Sequence, residues 1–268
     1  DYVNNLIDAP EINAGDRFYS YIYEVDGGTF GDDTTNEIYF HSATEGALIA
    51  EDVIGGKKTR EINFEWQKLP DGSLLLDLSD GSAITIRFIK EDSGVYSTLF
   101  LVENKDRTKR IYDVHDFIKD QGFELTDDMF PGRYQIYSND SFSTIPVSFT
   151  ADGKVSFANT DDLAGRWFIT EEGELISYEC TDLAGNAITD YDRCVESFDF
   201  IGTEGEFTDF SHIRRLKFLH RDGDNFQIKY NASFYGGPFN VVGSTDYLTV
   251  NWTYRMKRIG NIRQQSSN

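Results

Sequence analysis

Along most of the chain, apolar and polar side chains alternate with a period of two, the period of a strand that buries one face. Ile62, Phe64 and Trp66 alternate with Glu61, Asn63 and Glu65. Leu74, Leu76 and Leu78 follow, and then Ile84, Ile86 and Phe88 alternate with Thr85 and Arg87. Asp71-Gly72, Asp80-Gly81 and the acidic stretch Glu91 to Gly94 separate these runs. Short alternating runs joined by Asp-Gly turns predict an antiparallel meander. The second half has the same texture: Ile145, Val147 and Phe149, then Asp152-Gly153, and a last strand carrying Leu248, Val250, Trp252, Tyr254 and Met256. Near the start, Tyr19, Tyr21 and Tyr23 alternate with Phe18, Ser20 and Ile22.

Two stretches depart from period two. Ser42 to Ile54 fits either a short helix, with Ser42 and Glu45 at capping-box spacing, or a strand around Ala47 to Ile49. Asp113 to Gln121 predicts a helix, because Val114, Phe117 and Ile118 fall at spacings of three and four between Asp113 and Gly122.

Short motifs recur in the same order in both halves. Trp66, Gly72 and Leu74 have the spacing of Trp167, Gly173 and Leu175, each Trp leading an acidic Gly turn and a second apolar strand. Gly15-Asp16-Arg17-Phe18 is echoed by Gly132-Arg133-Tyr134. Ile86-Arg87-Phe88-Ile89-Lys90 matches Leu216-Lys217-Phe218-Leu219-His220. The chain is therefore expected to be one β module built twice, with Trp66 and Trp167 at equivalent core positions. The expected layout is an N-terminal linker over 1–12 and a first module over 13–124 that includes the connecting helix. A second module over 125–260 and a disordered tail over 261–268 complete it. The fold class is all-β: two tandem antiparallel barrels or curved meanders, with β-sandwiches as the alternative.

The motif order resembles the lipocalin-like modules of secreted and lipid-anchored bacterial proteins, which often occur in tandem. The resemblance covers both halves loosely. It implies a barrel that is either hollow for a small ligand or filled, and it transfers no functional residue.

Composition agrees with β structure. Phe 21, Tyr 15 and Trp 3 favour a pleated, half-buried surface, and 23 Gly supply turns. The formal charge of −21, from 25 basic and 46 acidic residues, disfavours nucleic acid and anionic membranes as partners. No apolar run approaches the roughly 20 residues of a membrane helix, and no signal peptide is visible. Asp1 in place of Met suggests a processed terminus or a piece of a longer chain. Cys180 and Cys194, fourteen positions apart around a turn-rich segment, are expected to form a disulfide across a hairpin loop. That fits a secreted, periplasmic or cell-surface bacterial location.

No residue set points to catalysis, a metal or a cofactor. His212 and His220 could share a strand face, but nothing supplies a third ligand. The calcium-loop pattern, the nucleophile elbow and the phosphate loop are absent. Acidic pairs such as Glu171-Glu172 are expected in solvated turns. The expected function is thus non-enzymatic binding or structure, with no cofactor. The alternatives are a subunit of an extracellular assembly joined by strand pairing, and a hydrolase with an unrecognised carboxylate site. Tyr19, Tyr21 and Tyr23 form the one candidate contact surface.

Overall fold

The computed structural model describes residues 6–22, 34–51, 54, 58–138, 144–157, 164–236 and 248–261. It contains two compact units, with the main division of the chain between Gly122 and Phe123. In the first unit β1 (Arg17–Ile22), β2 (Thr34–Phe40), β3 (Glu45–Glu51), β4 (Lys58–Lys68), β5 (Leu74–Leu78), β6 (Ala83–Asp92), β7 (Val95–Glu103) and β8 (Arg110–Lys119) form a closed up-and-down barrel. Closure is made by β1 on β8, through Phe18 opposite Lys119 and Tyr19 opposite Ile118.

In the second unit β9 (Gly132–Ser138), β10 (Thr144–Phe149), β11 (Lys154–Ser156), β12 (Gly165–Ile169) and β13 (Leu175–Asp182) run in sequence order. After β13 come the two-residue β14 (Ala187–Ile188) and the helix α1 (Tyr191–Ser197). Then β15 (Thr208–Asp222), β16 (Asn225–Tyr235) and β17 (Leu248–Gly260) complete the sheet. Pairings of β12 with β13 and of β17 with β9 close it. Both units are thus eight-stranded antiparallel barrels. Beyond Tyr178, the side of β13 that faces β12 lower down is taken by β14.

The duplication is structural as well as sequential. Leu69 N–H donates to Ser73 O and Gly72 N–H to Leu69 O, while Thr170 N–H donates to Glu174 O and Gly173 N–H to Thr170 O. Gly72 (φ 82°) and Gly173 (φ 77°) sit in the left-handed region that this turn requires. Leu74 and Leu175 are buried at the same place in their barrels. Each Trp indole N–H donates to the main chain beyond its barrel's second strand, Trp66 to Ser42 O at 3.1 Å and Trp167 to Thr150 O at 3.0 Å. Each packs edge-on against the last Phe of that strand, Phe40 or Phe149, at an interplanar angle of 79°. A bulge falls between Phe88 and Lys90 in β6 and between Phe218 and His220 in β15.

The cores follow the alternation. Phe18, Phe40, Phe64, Leu76, Ile84, Phe88, Phe100 and Phe117 belong to the first, and Phe130, Tyr134, Phe149, Trp167, Leu216, Phe218 and Met256 to the second. Aspartates hold the turns: Asp71 accepts from Ser73 N–H at 3.1 Å, Asp80 from Ser82 N–H at 2.9 Å, and Asp182 from Asn186 N–H at 2.8 Å. The hydrogen bonds from Ser73 and Asn186 lower the Asp71 and Asp182 carboxyls below the ordinary range. Part of the chain's acidity is therefore turn chemistry.

Several expectations change. Residues 113–121 are not a helix; 113–119 belong to β8, which pairs with β7 from Arg110 to Ile118. The spacing of three and four was misleading, because Val114 points outward and is 58% exposed while Phe117 points inward and stacks on Phe18 at 4.4 Å. The barrel needs an eighth strand for closure, and Ile111, Val114 and Ile118 are β-branched. Within the stretch from Ser42, Glu45–Glu51 form β3 rather than a helix, with Ser42 Oγ accepting from Glu45 N–H at 3.1 Å in the turn before it. The segment read as a linker is tied to the barrel from Ile7 on. Ile7 N–H donates to Phe88 O at 2.9 Å, Ala9 N–H donates to Gly72 O at 2.8 Å, and Ala9 is buried in the core. Phe123 plays the matching part in the second barrel, packing beside Phe218. Of the expected tail, Asn261 accepts a hydrogen bond from Arg258 at 3.0 Å, and 262–268 lie outside the described residues.

Candidate functional site

Because the barrels share register, their interiors can be compared position by position. In the first barrel Trp66 stands opposite Leu76, Leu76 opposite Ile84, and Ile84 opposite Val102, while Ile86 stands opposite Phe100. In the second, Trp167 stands opposite Ser177, Ser177 opposite Arg214, and Arg214 opposite Ala232, while Leu216 stands opposite Tyr230. Leu76, Ile84 and Phe100 of one barrel are thus replaced by Ser177, Arg214 and Tyr230 of the other. All six are buried, with exposures of 2% or less except for Arg214 at 6%.

Arg214 points into the barrel. Its guanidinium lies 3.6 Å from the centroid of the Phe157 ring and 5.1 Å from that of Phe234, and both rings pack in the second core. Its Nη2 donates to His212 Nδ1 at 3.3 Å. That bond fixes the proton of His212 on Nε2. Burial first, and then the Arg214 charge, push the His212 pKa down to about 3, so the ring is neutral around pH 7. Arg214 Nε and Ser177 Oγ are buried with no hydrogen-bond partner among the described residues, and the buried Tyr230 hydroxyl lies within reach of the Arg214 guanidinium. Burial raises the Tyr230 phenol above its ordinary range, and the adjacent Arg214 lowers it in part. The nearest carboxylate in register is Glu179, opposite His212.

A buried cation with no counter-charge costs several kcal/mol. Arg214 is held by two aromatic faces and a neutral imidazole, which offset part of that cost. The arrangement sets a fixed positive charge inside the barrel, with a hydroxyl directly across the strand pair and a second one diagonal to it.

The other predicted residues lie elsewhere. Cys180 and Cys194 are disulfide-bonded, with Cα atoms 5.8 Å apart. The bridge is not across a hairpin; it ties β13 to α1, with Asp190 capping the helix by accepting from Arg193 N–H at 2.9 Å. Tyr19 is 1% exposed, so it offers no contact surface. Its hydroxyl donates to Glu37 at 2.9 Å, and Glu37 also pairs with Arg17. Burial and then Glu37 hold its phenol well above the tyrosine range. Tyr21 lies beside the His115 ring at 5.1 Å, and Tyr23 lies outside the described residues. His212 and His220 do not share a face, because the bulge at Leu219 turns His220 toward Gln227 on the outer side. Among the described residues no three His, Cys, Asp or Glu side chains are placed to hold a metal ion.

A groove on the first barrel has a volume of about 620 Å³ and is lined by His41, Glu45, Gly46, Asn63, Phe64, Glu65, Asp77, Leu78 and Ser79. Glu45 is opposite Glu65, and Glu65 opposite Asp77. These carboxylates stand side by side on one sheet face rather than facing each other across a cleft, and Asp77 pairs with Arg107 at 3.3 Å.

Sequence reasoning passed over Ser177, Arg214 and Tyr230. The signal was present: carrying the match of Leu216 to Ile86 two residues back sets Arg214 against Ile84.

Fold and cluster together define a tandem β-barrel protein with one modified interior. No protein-family model matches the chain, and a search of curated proteins returned no relative.

Proposed function

We propose that this protein is a non-enzymatic binding protein that takes a small molecule into its second barrel. The observation that carries the reading is the replacement of Leu76, Ile84 and Phe100 by Ser177, Arg214 and Tyr230 at matched interior positions. A barrel kept only as a scaffold gains nothing from a buried, unpaired guanidinium. A receptor does, because the ligand completes the charge balance and the hydrogen bonds.

The Cys180–Cys194 disulfide supports an oxidising compartment, and no helix among the described residues is long and apolar enough to cross a membrane. With the resemblance to lipocalin-like modules, a secreted or cell-surface role in a bacterium is the proposed setting. Barrel closure leaves few strand edges for pairing, which removes support from an assembly joined by strand addition.

The test is calorimetric titration of the full chain with apolar small molecules of anionic, neutral and cationic type. Saturable one-to-one binding of at least one class is expected. No saturable binding by any class contradicts the proposal.

A further inference from the structure

The outer walls of the two barrels differ as their interiors do. On the first barrel Leu101 stands opposite Tyr112 and Leu99 opposite Val114, all pointing outward. Tyr112 is 61% exposed and Val114 58% exposed, with the two leucines half-buried beside them. The matched positions of the second barrel carry Asn231, Asn251, Lys229 and Thr253, so the apolar stripe is not a requirement of the wall. Just past Tyr112, the β7–β8 loop brings Lys105, Arg107, Lys109 and Arg110 against Asp106, with Glu103 paired to both arginines. In a chain of formal charge −21, this stripe is apolar at its centre and cationic at one end. An exposed apolar patch with a polar rim marks an interaction surface, and Tyr is enriched in such surfaces.

The opposite wall of the same barrel has the complementary character. In the strand order β4 lies four positions from β8, and the groove of about 620 Å³ runs over β3 to β5. Phe64 and Leu78 are buried at its floor, and Glu45 and Glu65, both exposed, stand opposite each other at its edge. Two like charges directly across a strand pair destabilise each other, and a cation brought between them relieves this. We infer that the occupant is a second copy of this chain: Tyr112 of one copy seats in the groove of the next, and the basic loop lies against Glu45 and Glu65. An aromatic anchor seated in a pocket is the usual form of a binding hot spot. The contact joins side walls rather than strand edges, so barrel closure does not oppose it. It involves the first barrel alone and is independent of the second-barrel reading.

The experiment is sedimentation velocity of the full chain over a rising concentration series at physiological ionic strength. There the net charges of two copies are screened beyond about 8 Å. The two surfaces differ and lie on opposite walls, so the contact is head-to-tail and does not close at two copies. The weight-average mass is expected to climb past twice that of one chain. Tyr112→Glu and the pair Glu45→Lys/Glu65→Lys, each checked for folding by circular dichroism, are expected to stay at the mass of one chain. Mixed in equal amounts, they are expected to form a pair of twice that mass and nothing larger, because the first keeps its groove and the second its stripe. If Tyr112→Glu does not fold, Tyr112→Ser serves in its place. A single-chain mass of the parent at every concentration overturns the inference. So does a plateau at two copies, association undiminished in the variants, or a mixture that stays unpaired.

Discussion

Arg214 occupies in the second barrel the interior position that Ile84 occupies in the first, each with a β-strand neighbour opposite it that changes in step, Ser177 for Leu76. The two barrels act as each other's control. They share turns, bulge position, Trp anchor and closure, so a difference at one interior site is not explained by a difference in fold.

The shared turns give a graded prediction. Gly72→Ala and Gly173→Ala both force a side chain into the left-handed region, at a cost of roughly 1–2 kcal/mol. A Cβ at Gly173 meets nothing within 4 Å, whereas one at Gly72 falls 2.5 Å from Asp8 Oδ1 and 3.2 Å from Asp8 Cα. Urea unfolding should therefore show Gly72→Ala to be the more damaging, because the lead-in segment must also move.

Removing the bridge as Cys180→Ser/Cys194→Ser should cost about 3 kcal/mol, the unfolded-state entropy of a loop of this length. The loss should appear in the thermal unfolding of the full chain. Intact mass under denaturing conditions should rise by two hydrogen atoms on reduction, and an unchanged mass would refute the bridge.

His212 gives a pH signature with a definite sign. Its folded pKa, about 3, lies below the ordinary histidine value of 6.5. Between those values the unfolded chain binds the extra proton, so stability rises with pH in that window and falls as the solution is acidified. The loss from pH 7 to pH 4 from this group is on the order of 3 kcal/mol. His212→Gln keeps an acceptor for Arg214 and does not titrate. Its stability should be flatter over that window, as measured by urea midpoints at pH 7 and pH 4.

Much of the fold was legible in the chain because period-two alternation and Asp-Gly turns are local signals. The Trp66/Trp167 hairpins and the Phe88/Phe218 strands match in sequence, and the structure gives them the same turns and bulges. Misreadings came where a tertiary demand outranked a local one. Val114, Phe117 and Ile118 have helical spacing, yet the eighth strand of a closed barrel was required there. The Tyr19 face alternates like a surface, yet Glu37 and burial claim it. The candidate site was harder to see for a different reason. An Arg inside a strand normally marks the solvent face, and here the unbroken register it shares with Leu216 and Phe218 puts it inward. Only the comparison with Ile84 makes Arg214 anomalous.

The central claim is that Ser177, Arg214 and Tyr230 are kept for a ligand at the expense of the empty fold. The most direct measurement is the free energy of unfolding of Ser177→Leu/Arg214→Ile/Tyr230→Phe, which installs the first barrel's side chains in the second, without ligand. Exchange of a buried charge cluster for well-packed apolar groups is expected to raise stability by about 1–4 kcal/mol. A variant less stable than the parent would show that the three polar residues hold the barrel together, and would contradict the account.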